Sequence, residues 1–244
     1  GLSKIYCIII YGSLKLLRCM KSSNQFKNIQ LIAFDVDGTL YVTESIIAPS
    51  YYSAVEKFNE RFDFNLKKPT LAQLEHRIGA SVNTILPGLF PDFHEPDKLM
   101  ILGDMILEEF VARISRKEGK IYPGVKETLE ILKSRGYTLA LATNASFKYL
   151  KTIIRTFEID KYFVPPIVVD GMYIKQKSDI LTEYMSDYKI PAENMVMIGD
   201  RASDMQAAKQ AGCHFIGVRY GFAPEEIERS ECTISDIREL IELL

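Results

Sequence analysis

Residues 31–40 read LIAFDVDGTL, an apolar run that breaks into two aspartates one valine apart and then a Gly-Thr. Isolated carboxylates are costly to take out of water unless something pairs with them. Two of them at this spacing point to the same side of an extended chain. They repel each other unless a cation or a shared proton intervenes. Either the pair is a solvated turn or it holds something, and the rest of the chain decides which.

Beyond this stretch the pattern changes twice. From Ser50 to about Lys117 the sequence is helical in character: YYSAVEKFNERF (51–62) sets Tyr51, Val55, Phe58 and Phe62 on one face at the spacing of an amphipathic helix. TLAQLEHRIGAS and DKLMILGDMILEEFVARI continue the pattern, with LPGLFPDFHEP between them as a Pro- and Gly-containing break. From Ile121 short β-rich runs alternate with helices: YTLALATN (137–144), a helix over ASFKYLKTIIRTFEI, a helix from about Ser178, NMVMIGD (194–200), ASDMQAAKQAG closed by Gly212, and CHFIGVRYG. Strands alternating with helices predict an α/β fold, a Rossmann-like parallel sheet wrapped by helices. The helical block reads as an insertion after the first strand. The expected organisation is an N-terminal extension over 1–28, a core over 29–44 and 120–244, and an all-helical cap over 45–119.

Ligands of open α/β sheets bind beyond the carboxyl ends of the strands. Asp35 and Asp37, Thr143 and Asn144, and Asp200 all fall at such ends. Three separate strands therefore deliver polar residues to one edge. Asp200 and Asp204, four apart across a strand-to-helix turn, join Asp35 in an oxygen-rich, nitrogen-poor set that suits Mg²⁺ rather than zinc. Asp204 also fits a first-turn helix acid favoured by the helix dipole, and Asn144 fits an N-cap as well as a phosphate contact.

Composition removes other classes. A formal charge of −2 and a pI near 6.0 give no basic stripe for nucleic acid. The apolar run IYCIIIYG (5–12) is far short of the roughly 20 residues that span a bilayer. No small-residue cleavage site follows it, and the chain from Met20 reads as a natural start, so residues 1–25 are expected to add nothing to the chemistry. Four widely spaced cysteines without a CxxC suggest neither a zinc site nor a disulfide framework and fit a reducing, cytoplasmic setting. The histidines are scattered and form no triad or metal spacing.

Asp35-Val36-Asp37-Gly38-Thr39 resembles the DxDGT element that follows the first strand in phosphotransferases of the haloacid dehalogenase-like superfamily. GDRASD (199–204) resembles that family's GDxxxD, and the resemblance runs in the family's order over about residues 30–244. It implies that Asp35 is a nucleophile that forms an aspartyl-phosphate, and that Asp37 is a general acid and base. Mg²⁺ would be held by the Asp35 carboxylate, the Asp37 backbone carbonyl and Asp200, with Asp204 acting from behind them. Thr143, Asn144 and Gly38 would bind phosphate, and a lysine would neutralise it. YIKQKSDIL offers Lys175 and Lys177. KSDIL fits the form in which the lysine runs directly into a D-I-L helix start, which favours Lys177.

EHRIGASVN, in the helical block, resembles the segment that covers the active site in phosphoglycolate phosphatase-like members. It makes Arg77, Ser81 and Asn83 candidates for substrate contact. The implied function is hydrolysis of a small phosphorylated metabolite by a monomer or homodimer. A sugar phosphomutase of the same fold is the alternative, but YVTESIIAPS (41–50) lacks the histidine that such mutases carry after the first motif. A catalytically silent binding or scaffold member should have lost one of the aspartates, and all are present.

Overall fold

The computed structural model describes residues 26–75, 77, 79 and 82–244, with 82 and 83 described by backbone alone. The N-terminal stretch 1–25, Ser81 and the Asn83 side chain lie outside what it describes. In chain order the elements begin with β1 (Leu31–Phe34), β2 (Tyr41–Val42), α1 (Glu44–Phe62), α2 (Leu71–Glu75), α3 (Val82–Leu89) and α4 (Pro96–Ser115). Then come β3 (Lys120–Ile121), α5 (Val125–Ser134), β4 (Thr138–Leu141), α6 (Phe147–Thr156) and α7 (Lys177–Tyr188). β5 (Met195–Gly199), α8 (Ala202–Ala211), β6 (His214–Val218), β7 (Cys232–Ile234) and α9 (Leu240–Leu243) complete the chain.

These elements divide into two compact units. One comprises the described residues up to Leu40, Tyr122–Thr143 and Lys161–Leu244; the other comprises Tyr41–Ile121 and Asn144–Asp160. The first unit is built on a five-stranded sheet of order β4-β1-β5-β6-β7, parallel throughout. β1 and β5 are buried at every residue, and they are continuous apolar runs because a parallel sheet is covered on both faces. Leu31, Ala33 and Ala140 of the sheet pack with Ile180, Leu181 and Tyr184 of α7 and with Ala207 and Ala208 of α8. Each large apolar side chain buried this way contributes about 1.5–3 kcal/mol. The α/β class with a Rossmann-like sheet is as the alternation of strands and helices predicts.

In the second unit, the predicted face of α1 is buried at Tyr51, Val55 and Phe58 and half-buried at Phe62. Tyr51 meets Phe110 of α4 edge-on at 6.0 Å between ring centroids, and Phe110 meets Tyr149 of α6 at 5.6 Å. A two-residue antiparallel ladder, Tyr41 with Ile121 and Val42 with Lys120, ties the two ends of the helical block together. No helix among the described residues is long and apolar enough to cross a membrane.

Several local expectations differ from the structure. α1 begins at Glu44 and runs through Pro49; a proline this near the start removes a single intrahelical bond. LPGL, expected to break the chain, is the end of α3; Gly88 there has the Arg77 guanidinium where a Cβ would stand, 3.0 Å from Nη1. The N-cap of α6 is Ser146, whose hydroxyl accepts from the Tyr149 amide, rather than Asn144.

Candidate active site

The register of the sheet assembles the site. Phe34 at the end of β1 pairs with Leu141 of β4 and Ile198 of β5. Asp35 follows Phe34 and donates its amide to the Ile198 carbonyl at 2.8 Å. Thr143 lies two residues beyond Leu141 and Asp200 two beyond Ile198, so one edge receives all three. Asp35, Asp37, Thr143, Asp200 and Asp204 are buried, as is Lys177, and all six belong to the first unit.

Lys177, the first residue of α7, reaches into this edge and donates from Nζ to Asp35 Oδ1 at 2.7 Å and to Asp204 Oδ1 at 2.5 Å. Lysine at the first position of a helix works against the helix dipole, so the turn needs local support. Asp179 supplies it, accepting the backbone amides of Lys175 and Gln176 on Oδ2 at 2.9 and 3.1 Å. Lys175 is exposed. Of the two lysines considered, the structure brings Lys177 to the aspartates and leaves Lys175 outside.

Asp204 serves two purposes at once. Its Oδ2 accepts the backbone amides of Asp200 and Arg201 at 3.1 and 3.0 Å, closing the first turn of α8, while Oδ1 faces Lys177. Both oxygens are therefore engaged. Asp200 differs. Its Oδ2 accepts the Phe222 amide at 2.8 Å, whereas Oδ1 is sealed from solvent with no hydrogen-bond partner. Leaving a buried charged acceptor unmatched costs more than losing an ordinary hydrogen bond.

Two glycines let the chain close in around Asp200. Gly38 turns the chain after Asp37 at φ +81°, and a Cβ there would lie 2.3 Å from Asp200 Oδ2. A Cβ on Gly221 would lie 2.3 Å from Asp200 Cβ and 2.6 Å from the Gly38 carbonyl oxygen. The segment around 220–222 thus packs backbone to backbone against the DGT turn. Tyr220 adds a hydrogen bond from its hydroxyl to the Thr39 carbonyl at 3.0 Å.

One carboxylate oxygen from each of Asp35, Asp200 and Asp204 lies within 4.8 Å of the others. Three carboxylates face one ammonium, leaving two formal negative charges in a buried space. The titration behaviour follows. Burial first, then Asp204, hold Asp35 well above the usual carboxylate range against the pull of Lys177, and Asp200 adds to the rise. Asp200 is pushed up to about 7 by burial and Asp204, against the Phe222 amide, Lys177 and Arg201. Burial disfavours the Lys177 ammonium, but Asp204 and Asp35 more than offset it and its pKa rises. The orphaned Asp200 oxygen and the all-oxygen donor set fit a hard divalent cation.

The remaining candidates lie in the second unit. The Asn144 side chain donates to the Gly79 carbonyl at 3.1 Å. Arg77 donates to the Gly88 carbonyl at 3.3 Å. Ser81 and the Asn83 side chain lie outside the described residues. Sequence reasoning gave no site role to Gly221 and Phe222, whose parts are played by backbone contacts. The resemblance of GVRYGFAPEEI to phosphoglycolate phosphatase-like enzymes marks the segment without assigning either residue a part.

The haloacid dehalogenase-like hydrolase family model matches residues 32–218. A phosphoglycolate phosphatase of Vibrio parahaemolyticus is 28% identical over 229 residues, covering 89% of this chain and 97% of that protein. A phosphoglycolate phosphatase of Vibrio vulnificus is 31% identical over 202 residues, covering 80% and 86%. The crystal structure of a "predicted phosphoglycolate phosphatase" from Haemophilus somnus superposes with a TM-score of 0.78 over 89% of this chain and 98% of that one. At 23% identity it speaks to the fold alone. The chain belongs to the haloacid dehalogenase-like hydrolases, as a phosphoric monoester hydrolase of the phosphoglycolate phosphatase-like group.

Proposed function

We propose that this chain hydrolyses a small phosphomonoester of the phosphoglycolate kind through an aspartyl-phosphate on Asp35, with Mg²⁺ as cofactor. The observation that carries the reading is the Lys177–Asp35 pair set beside the unpartnered Oδ1 of Asp200.

The Asp35 carboxylate attacks phosphorus; an Asp35 oxygen–phosphorus bond forms as the ester bond to the leaving oxygen breaks. Asp37, returned to the same side two residues on, donates a proton to that oxygen. It then takes a proton from the water that attacks the phosphorus. The Asp35–phosphorus bond breaks, releasing inorganic phosphate and restoring the carboxylate. Lys177 favours the ionised form of Asp35 and offsets the charge of the phosphoryl group. The Thr143 hydroxyl and the amides at Gly38 and Asn144 receive its oxygens. The Asp35 carboxylate, the Asp37 backbone carbonyl and Asp200 Oδ1 would hold the Mg²⁺, while Asp204, already bonded to two amides and to Lys177, orients Asp200 and the lysine from behind. When bound, the ion supplies positive charge that offsets repulsion between carboxylates and phosphate. Selection of the substrate is assigned to the helical unit, with Arg77, Ser81 and Asn83 as its candidates, on the family resemblance.

The test is a phosphate-release screen across metabolite phosphates, including phosphoglycolate, with and without Mg²⁺, on the wild type and Asp35→Asn. Release that needs both Mg²⁺ and Asp35 is expected. Release indifferent to either would overturn the reading.

A further inference from the structure

Beside Asp200 lies an ion pair that the chemistry above leaves unused. Arg201 donates from Nε to Glu226 Oε2 at 3.1 Å and from Nη2 to Oε1 at 3.0 Å, a two-pronged clasp. Glu226 Oε2 also accepts the Ala202 amide at the start of α8 at 2.9 Å. The pair is partly sheltered, with the Arg201 side chain 15% and the Glu226 side chain 29% exposed. Arg201 is the immediate neighbour of Asp200, whose Oδ1 is buried and unmatched. A planar guanidinium is the side chain best suited to fork onto a free carboxylate. The pairing with Glu226 commits the guanidinium elsewhere.

We propose that Glu226 is a positioning residue that clasps Arg201 and so keeps the guanidinium from occupying the Asp200 oxygen meant for the divalent cation. The inference rests on the Mg²⁺ reading above. Glu226 sits on the same segment as Gly221 and Phe222, which fix the other Asp200 oxygen. One short stretch of chain thereby ties down Oδ2 and holds the neighbouring guanidinium. Removing Glu226 alone takes away the carboxylate that clasps the guanidinium next to the site. Removing Arg201 together with it removes the competitor, although the Ala202 amide still lacks its acceptor. The comparison of single and double variants separates charge sequestration from simple bracing of the loop.

The experiment is calorimetric titration of Mg²⁺ into the full chain, repeated with Mn²⁺ as a second probe. Glu226→Ala is expected to weaken binding about tenfold, the scale of lost support around a metal site. The Arg201→Ala/Glu226→Ala double variant is expected to return to within about threefold of wild type on that scale. Glu226→Gln, nearly isosteric, keeps an acceptor for the Ala202 amide and loses the charge. It is expected to weaken binding by about threefold or more, and it carries the test together with Arg201→Ala/Glu226→Gln if the alanine variant fails to fold by circular dichroism. Wild-type affinity in Glu226→Ala, or a double variant as weak as the single, would overturn the proposal. A wild type that binds neither ion overturns the Mg²⁺ reading itself, an outcome distinct from failure in the variants alone.

Discussion

Lys177→Met removes the ammonium that bridges two buried carboxylates while keeping the length and much of the volume of the side chain. Lys177 is 5% exposed, and the Asp35 and Asp204 side chains it bridges are 3% and 0% exposed. Taking away one partner of such a buried pair costs about 3–5 kcal/mol, because the remaining charge is left uncompensated. For a chain of this size that corresponds to a fall in Tm of roughly 6–20 °C. The pH dependence has a definite sign. The Lys177 pKa is raised in the fold, so its contribution is fully present below the ordinary lysine value and does not change between acid and neutral pH. In the variant Asp35, already held high by burial and Asp204, loses its main counter-charge and rises further. A carboxyl raised in this way is tolerated while protonated, below the unfolded value, and destabilises the fold as the pH climbs through its folded value. The deficit should therefore be larger at pH 8 than at pH 5, and Mg²⁺ should recover part of it at pH 8. Differential scanning calorimetry in EDTA at the two pH values, then with Mg²⁺, measures all three. A deficit equal at both pH values, or a variant as stable as wild type at pH 8, would refute the reasoning.

Gly221→Ala places a Cβ 2.3 Å from Asp200 Cβ and 2.6 Å from the Gly38 carbonyl oxygen. Overpacking of this kind costs about 1–3 kcal/mol, and calorimetry should show it alongside weaker Mg²⁺ binding; full retention of both would mean that the segment does not set Asp200. Ser146→Ala removes the side-chain cap of α6 and should cost about 1 kcal/mol by urea unfolding, while Mg²⁺ affinity measured by titration stays at the wild-type value.

The chemistry of the chain was more legible than its helical unit. In LIAFDVDGTL the burial of an unbroken apolar run and the period of two along a strand locate both aspartates at the sheet edge before any coordinates are known. GDRASD does the same for Asp200 and Asp204, since a strand-to-helix turn brings residues four apart back together. KSDIL favoured Lys177 over Lys175, and the Asp179 turn gives the physical reason: it holds the backbone from which Lys177 reaches inward. The segment around Gly221 and Glu226 was not legible as part of the site. Its contacts are a backbone amide, a close approach between backbones and an ion pair across 25 positions, none of which leaves a periodic trace. β7 went unread for a similar reason: three residues, Cys232–Ile234, are too few to set a period. The helix boundaries at Pro49 and LPGL were misplaced because proline counts as punctuation locally, whereas the packing of α1 and α3 decides where the turns continue.

The central claim is that Asp35 carries the phosphoryl group. Acid quench of the wild-type protein during turnover of phosphoglycolate with Mg²⁺, followed by peptide mass spectrometry, tests it most directly. The prediction is one added phosphoryl mass on the peptide containing 31–40, localised to Asp35 by fragmentation and absent in Asp35→Asn. Turnover with no adduct on that peptide, or an adduct on Asp37 instead, would contradict it.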